Sequence, residues 1–211
     1  MYSEILKDRE EAAILLSEKL KKYKNSNSVV FAVPRGGVPL GYEIAKNLQL
    51  PLDIVLSKKI GHPTNKEFAI GAVSLDSTIL DKHPDVAKEY IENEITRLRT
   101  VLREKYKLYR GDREPLEIKD KNVILVDDGI ATGNTLLASI EMLRKRHPAK
   151  IVVAVPVLPY DTVPIFEKQT DELIYLIASK HFRGVGSFFE NFQQVEDDEV
   201  IQMLEATYPL A

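Results

Sequence analysis

The 211-residue chain has no cysteine, no tryptophan and only three methionines. Without cysteine there is no disulfide framework, no thiol nucleophile and no thiolate metal site, which fits a reducing compartment and leaves only oxygens and imidazoles as metal ligands. The four histidines, His62, His83, His147 and His181, stand far apart, so no metal–imidazole cluster is expected. Charge of one sign is also missing: 29 Lys and Arg against 32 Asp and Glu leave a net charge of -3. That balance excludes the global basic field of a nucleic-acid binder, and no nucleic-acid partner is expected. No apolar run approaches the ~20 residues that span a bilayer. The start is charged from Glu4 onward, without the apolar stretch of a signal peptide, so the sequence reads as cytoplasmic with no membrane partner. What is present, 44% hydrophobic and 29% charged residues, is the profile of a globular protein, read here as a single domain over 1–211.

Ile5, Ala12, Leu16, Leu20 and Tyr23 recur at helical spacing and predict one amphipathic helix ending near Lys24, a packing element outside any site. Val29 to Val33 shows no polar alternation, as in a strand buried on both faces of a parallel sheet. A helix over Val38 to Leu48, a strand over Leu52 to Ser57 and a long polar loop over Lys58 to Lys66 follow. Ala69–Ser74 and Thr78–Leu80 flank Asp76 and Ser77 as a short hairpin. The longest helix is predicted from Pro84 to about Tyr109, its basic end, Arg97 to Arg113, being a solvated face that complements the helix dipole.

Strand–helix alternation then resumes: strands at 123–126, 151–155 and 173–177, helices at about 133–146, 162–168 and 200–206. The pattern is α/β, an open, mostly parallel sheet flanked by helices. Its core covers about 25–75 and 120–180, with a hairpin-plus-long-helix insertion at about 76–119 and a small hood at about 181–211.

The sharpest motif runs from Val123 to Thr135: a buried strand, the acids Asp127 and Asp128 at its end, then Gly129, Ile130, Ala131, Thr132, Gly133, Asn134 and Thr135 leading into a helix. Ligands of open α/β sheets bind beyond the carboxyl ends of the strands, and backbone N–H groups at a helix N-terminus cradle phosphate. Gly133 is expected to let the backbone approach the ligand, with Thr132 and Thr135 adding hydroxyl donors. Adjacent carboxylates repel phosphate, so the fitting ligand offers hydroxyls or a metal to the acids and phosphate to the loop, as a ribose 5-phosphate does. A Walker-B strand needs a Walker A motif, and no G-x-x-x-x-G-K-[ST] occurs. The bland alternative is a strand-to-helix turn with an incidental acid pair.

The segment resembles the phosphoribosyl diphosphate (PRPP) motif of the type I phosphoribosyltransferases. The resemblance implies a Mg²⁺-dependent transfer of the 5-phosphoribosyl group from PRPP to an unknown nitrogenous acceptor, with diphosphate released and no covalent nucleophile. It implies a diphosphate-binding turn after the first core strand, here Arg35, Gly36 and Gly37, and a flexible closing loop at Lys58–Lys66. Arg35 with Lys58 or Lys59 would neutralise the diphosphate. Asp127 and Asp128 would hold the ribose and, directly or through water, Mg²⁺. A homo-oligomer is expected on the same ground.

Ala131 stands where relatives acting on 6-oxopurines carry Asp, which argues against a hypoxanthine or guanine enzyme and leaves the motif nearer the adenine type. Phe188, Phe189 and Phe192 either stack on a base or belong to the core. Two further readings stay open: a PRPP or nucleotide sensor that has lost the transfer reaction, and a hydrolase of phosphorylated sugars, which would release phosphate in place of diphosphate.

Overall fold

The computed structural model describes residues 5–75, 77–80, 83 and 85–207, the side chain of Glu67 excepted. Asp76 and Pro84, expected at the hairpin turn and the helix start, lie outside the described residues.

Five strands, β1 (Ser28–Ala32), β2 (Leu52–Ile54), β6 (Asn122–Val126), β7 (Lys150–Pro159) and β8 (Glu172–Ser179), form a parallel sheet in the order β2-β1-β6-β7-β8. Ala32 faces Ile54 and Val126, and Val126 faces Ala154, so β1, β2 and β6 end level and their following loops emerge together. Successive side chains of a strand point to opposite faces. Val30, Ala32, Ile124 and Val126 accordingly join one apolar core with α1 (Arg9–Lys19), α2 (Gly37–Leu48) and α6 (Asp197–Thr207). Val29, Phe31, Val123 and Leu125 join another with α4 (Asn134–Arg144) and Phe166 of α5 (Val163–Gln169). Burial on both faces is why these strands lack polar alternation.

The first helix is shorter than its periodicity suggests. Asp8 caps it by accepting the Glu11 N–H at 2.9 Å, and a 3-10 turn over Lys21–Tyr23 follows it. Ile5 lies outside the helix and is half exposed, while Leu6 bridges in parallel to Phe189 of the tail.

Residues 58–66 differ more. In place of a long loop they form β3 (Lys58–His62) and the start of β4 (Asn65–Val73), an antiparallel pair extended by β5 (Thr78–Leu80). The alternation that marks an exposed hairpin is hidden here by register shifts at Ile60, Gly61 and His62. This small sheet packs Ile60, Ile70 and Val73 against Leu98 and Leu102 of α3 (Lys88–Arg110).

The basic end of α3 is not uniformly a solvated face. Arg110 is buried, and its Nε donates to Asp53 Oδ1 at 2.7 Å while Nη2 lies 2.6 Å from the same oxygen. Asp53 is fully buried in β2 and also accepts the Ile54 N–H at 2.7 Å and the Leu116 N–H at 3.0 Å. Arg110 lies over the Tyr106 ring at 4.5 Å and donates to the Ile54 carbonyl at 3.2 Å. This pair ties the insertion to the edge of the main sheet.

Candidate functional site

Asp127 and Asp128 leave the sheet directly after β6. The Asp128 N–H donates to Asp127 Oδ1 at 2.8 Å, which locks the two acids side by side. Burial pushes the Asp127 carboxyl well above the usual carboxylate range, and the Asp128 charge pushes the same way; the Asp128 N–H and the Arg9 guanidinium only partly oppose them. The turn after β1 approaches closely because it carries two glycines. A Cβ on Gly36 would overlap the Asp128 carboxylate, and one on Gly37 would stand 2.8 Å from the Val126 carbonyl and 2.9 Å from Asp127 Cα. The acid pair therefore abuts the Gly36–Gly37 backbone, and no larger residue fits there without a shift.

Beyond the acids, Ile130 turns inward: its side chain is buried and its N–H donates to the Val157 carbonyl at 2.9 Å. It anchors the loop and its N–H is unavailable as a phosphate donor, in contrast to the expectation. Ala131, Thr132, Asn134 and Thr135 are exposed and precede or open α4. The first N–H groups of a helix have no intrahelical acceptor, and no side chain caps this helix. A phosphate would find those donors together with the Thr132 and Thr135 hydroxyls.

Residues 1–198 match the family model described as Phosphoribosyl transferase domain. The chain belongs to the phosphoribosyl transferase family. It is 34% identical over 215 residues to a Mycobacterium tuberculosis protein provisionally named a phosphoribosyl transferase, covering 95% of this chain and 46% of that one, so it spans about half the length of that relative. A solved protein of Thermus thermophilus, TT1426, is 35% identical and superposes with a TM-score of 0.87 over 96% of this chain and 99% of its own. A shorter stretch of 60 residues is 38% identical to the ribose-phosphate pyrophosphokinase of Pyrococcus furiosus, covering 28% of this chain and 22% of that enzyme.

Within this phosphoribosyl transferase domain the remaining candidate residues are not all gathered at one point. Lys59 and Asn134 line one cleft of about 360 Å³ between the small sheet and α4. Lys58 and Lys59 are exposed at the start of β3 and form no ion pair among the described residues. Arg35 turns toward the tail, 3.3 Å from Glu196 and 3.8 Å from Asp197. Asp197 also accepts from Lys105 at 2.7 Å and from the Tyr109 hydroxyl at 2.6 Å, and these contacts, Lys105 first, hold its carboxyl below the usual range. His62 sits between Thr64 at 2.9 Å and Asp85 at 3.0 Å, a local contact of the small sheet.

Phe188 and Phe189 are buried core residues, and Phe192 is partly buried against Phe189, with ring centroids 5.0 Å apart.

The residue missed in the sequence is Arg9. Its Nη2 lies 2.7 Å from Asp128 Oδ2, its Nε 3.2 Å from the same oxygen, and its Nη1 donates to the Gln193 carbonyl at 2.7 Å. Its guanidinium stacks 3.9 Å from the Phe192 ring centroid. The first helix thus reaches the acid pair and fastens the tail to it. The only available signal was an Arg directly after the helix cap Asp8, on a segment read as packing alone.

Gly133 also acts differently from expectation. It adopts φ +77°, and a Cβ there would meet Phe166 Cε2 at 2.8 Å and Cζ at 2.9 Å. The constraint is the left-handed turn and the core, ahead of any ligand approach. Gly133→Ala is expected to cost roughly 1–3 kcal/mol of stability. Urea denaturation checks this, and an unchanged midpoint would refute it.

Proposed function

We propose that the domain catalyses Mg²⁺-dependent transfer of the 5-phosphoribosyl group from PRPP to a nitrogenous acceptor, releasing diphosphate. The carrying observation is the locked acid pair at the end of β6, abutting the Gly36–Gly37 turn and standing next to the uncapped start of α4. Asp127 and Asp128 would accept hydrogen bonds from the ribose hydroxyls, each charge-assisted bond contributing roughly 1.5–3 kcal/mol. The start of α4 would hold the 5-phosphate and the Gly36 N–H the diphosphate, the Gly37 N–H being taken by the Val33 carbonyl at 3.0 Å. At the anomeric carbon the bond to diphosphate oxygen breaks as the bond to nitrogen forms, and the acceptor nitrogen gives up a proton. Lys59, and Arg35 once free of Glu196, would offset charge on the departing diphosphate.

Mg²⁺ fits this donor set. Carboxylate oxygens suit a hard cation, and Asp127 Oδ2 has no hydrogen-bond partner among the described residues. No cluster of three or more His, Asp or Glu able to hold a metal occurs there, so substrate oxygens and water would complete the shell. When bound, the ion would neutralise diphosphate charge.

Calorimetric titration with PRPP, with and without Mg²⁺, followed by a diphosphate-release assay over nitrogenous acceptors, tests the reading. Absence of Mg²⁺-dependent PRPP binding would refute it. Lys59→Ala is expected to lower kcat by about 10- to 100-fold with a smaller effect on PRPP affinity. Equal loss in both would mark Lys59 as a ground-state contact.

A second reading, a PRPP sensor without transfer, draws on the ion pairs that already engage Arg9 with Asp128 and Arg35 with Glu196. Both would have to reorganise around PRPP, which suits a protein whose output is a shape change. PRPP binding with no diphosphate release for any acceptor supports this second reading.

Among the described residues no helix is long and apolar enough to cross a membrane.

A further inference from the structure

Each acid of the pair has one carboxylate oxygen engaged and one open. On Asp127 the engaged oxygen is Oδ1, which accepts the Asp128 N–H at 2.8 Å. On Asp128 it is Oδ2, which accepts from Arg9 Nη2 at 2.7 Å and from Arg9 Nε at 3.2 Å. The same Oδ2 is the atom that a Cβ on Gly36 would overlap, whereas Oδ1 would lie 3.2 Å from that Cβ. Arg9 and the Gly36 backbone thus close one oxygen of Asp128 from two sides. Asp128 Oδ1 and Asp127 Oδ2 accept no hydrogen bond among the described residues.

The guanidinium is itself fixed on its other sides. Nη1 donates to the Gln193 carbonyl at 2.7 Å, and the Phe192 ring centroid lies 3.9 Å from Cζ. That ring is backed in turn by the buried Phe189, with 5.0 Å between centroids. The Arg9 backbone opens α1 directly after the Asp8 cap. A side chain held by a helix start, a ring and a carbonyl has little freedom left to lose when Asp128 takes a ligand. The planar fork of arginine can make these contacts together, which the point charge of a lysine cannot.

We propose that Arg9 is a positioning residue for the PRPP site: it clamps Asp128 Oδ2 so that Asp128 Oδ1 and Asp127 Oδ2 meet the ligand as a fixed pair, and Phe192 holds Arg9 in place. The ion pair is kept when Mg²⁺–PRPP binds, in contrast to that of Arg35, which has to leave Glu196 to reach diphosphate. The inference rests on the acid pair holding Mg²⁺–PRPP, as proposed above, and is indifferent to whether transfer follows. It makes affinity at the end of β6 depend on a ring in the tail. Groups that hold a metal-ligating carboxylate in place typically contribute about 10- to 100-fold to metal affinity or activity.

The test is calorimetric titration of Mg²⁺–PRPP into the wild type, Arg9→Met, Phe192→Leu, Asp128→Asn and the Arg9→Met/Asp128→Asn double variant, each below its melting transition. Arg9→Met is expected to weaken binding about tenfold or more. Phe192→Leu, which leaves both charges in place and removes the ring, should weaken it about threefold or more. In the Asp128→Asn background Arg9→Met should cost less than about threefold further, because the carboxylate it serves is gone. An arginine that only braces the fold, or acts through its charge on the whole ligand, would cost the same factor in both backgrounds, and that result overturns the proposal. Should Arg9→Met not fold, Phe192→Leu repeats the same cycle with Asp128→Asn, and an equal loss in both backgrounds overturns the proposal there too. Wild-type affinity in Arg9→Met sinks the positioning role and leaves the PRPP site standing. A wild-type protein that binds no Mg²⁺–PRPP removes the site and this role together.

Discussion

Arg110→Met is expected to cost about 3–5 kcal/mol of stability, the usual effect of stranding one member of a buried ion pair. Asp53 has no exposed surface, and two of its hydrogen-bonding contacts come from Arg110. Methionine fills much of the arginine's volume, so the loss reports the uncompensated carboxylate more than a cavity. For a chain of this size the melting midpoint should fall by roughly 6–20 °C. Adding Asp53→Asn to Arg110→Met should restore part of the loss, because the amide carries no charge into the core. A single variant that melts with the parent, or a double variant no better than the single, would show that the pair contributes little.

That residue also shows where sequence reading stopped. The strands of the main sheet were legible because burial on both faces leaves continuous apolar runs such as Val29 to Val33 and Val123 to Val126. The motif from Asp127 to Thr135 was legible because acids directly after a buried strand, followed by small residues, have few structural uses. Arg110 was not, since it sits in a run of cations and only the fold brings the second strand's Asp53 beneath it. The strand pair at 58–66 was hidden for a local reason: two register shifts break the alternation, and Gly61 and Pro63 read as loop residues.

Arg9 was hidden by distance, lying 119 positions from Asp128. Asp127 and Asp128 looked equivalent in the sequence, and the pairing with Arg9 is what separates them. Asp128 has a cation against it, with side-chain exposures of 11% for Arg9 and 17% for Asp128, whereas Asp127 has only a backbone N–H and a charged neighbour. The two acids should therefore respond in opposite senses to the same chemical change.

Asp127→Asn is expected to stabilise the ligand-free protein and to abolish most PRPP binding. A carboxyl whose pKa is raised by folding binds its proton more tightly in the folded chain than in the unfolded one. Stability is then lost as pH climbs from the ordinary aspartate range, about 3.9, through the raised value. Asparagine cannot titrate and keeps an oxygen for the Asp128 N–H, so the variant's advantage should be absent in acid and grow toward neutral pH. Over the same window the lost bonds to ribose and Mg²⁺ should weaken PRPP by at least about tenfold. Asp128→Asn should weaken PRPP similarly but destabilise the protein at neutral pH, because it leaves the Arg9 guanidinium short of its partner. Melting curves at acid and neutral pH, paired with PRPP titrations, read both effects. A destabilised Asp127→Asn would refute the account of an Asp127 carboxyl disfavoured as a charge by burial and then by Asp128, and wild-type PRPP affinity in both variants would remove these acids from the site.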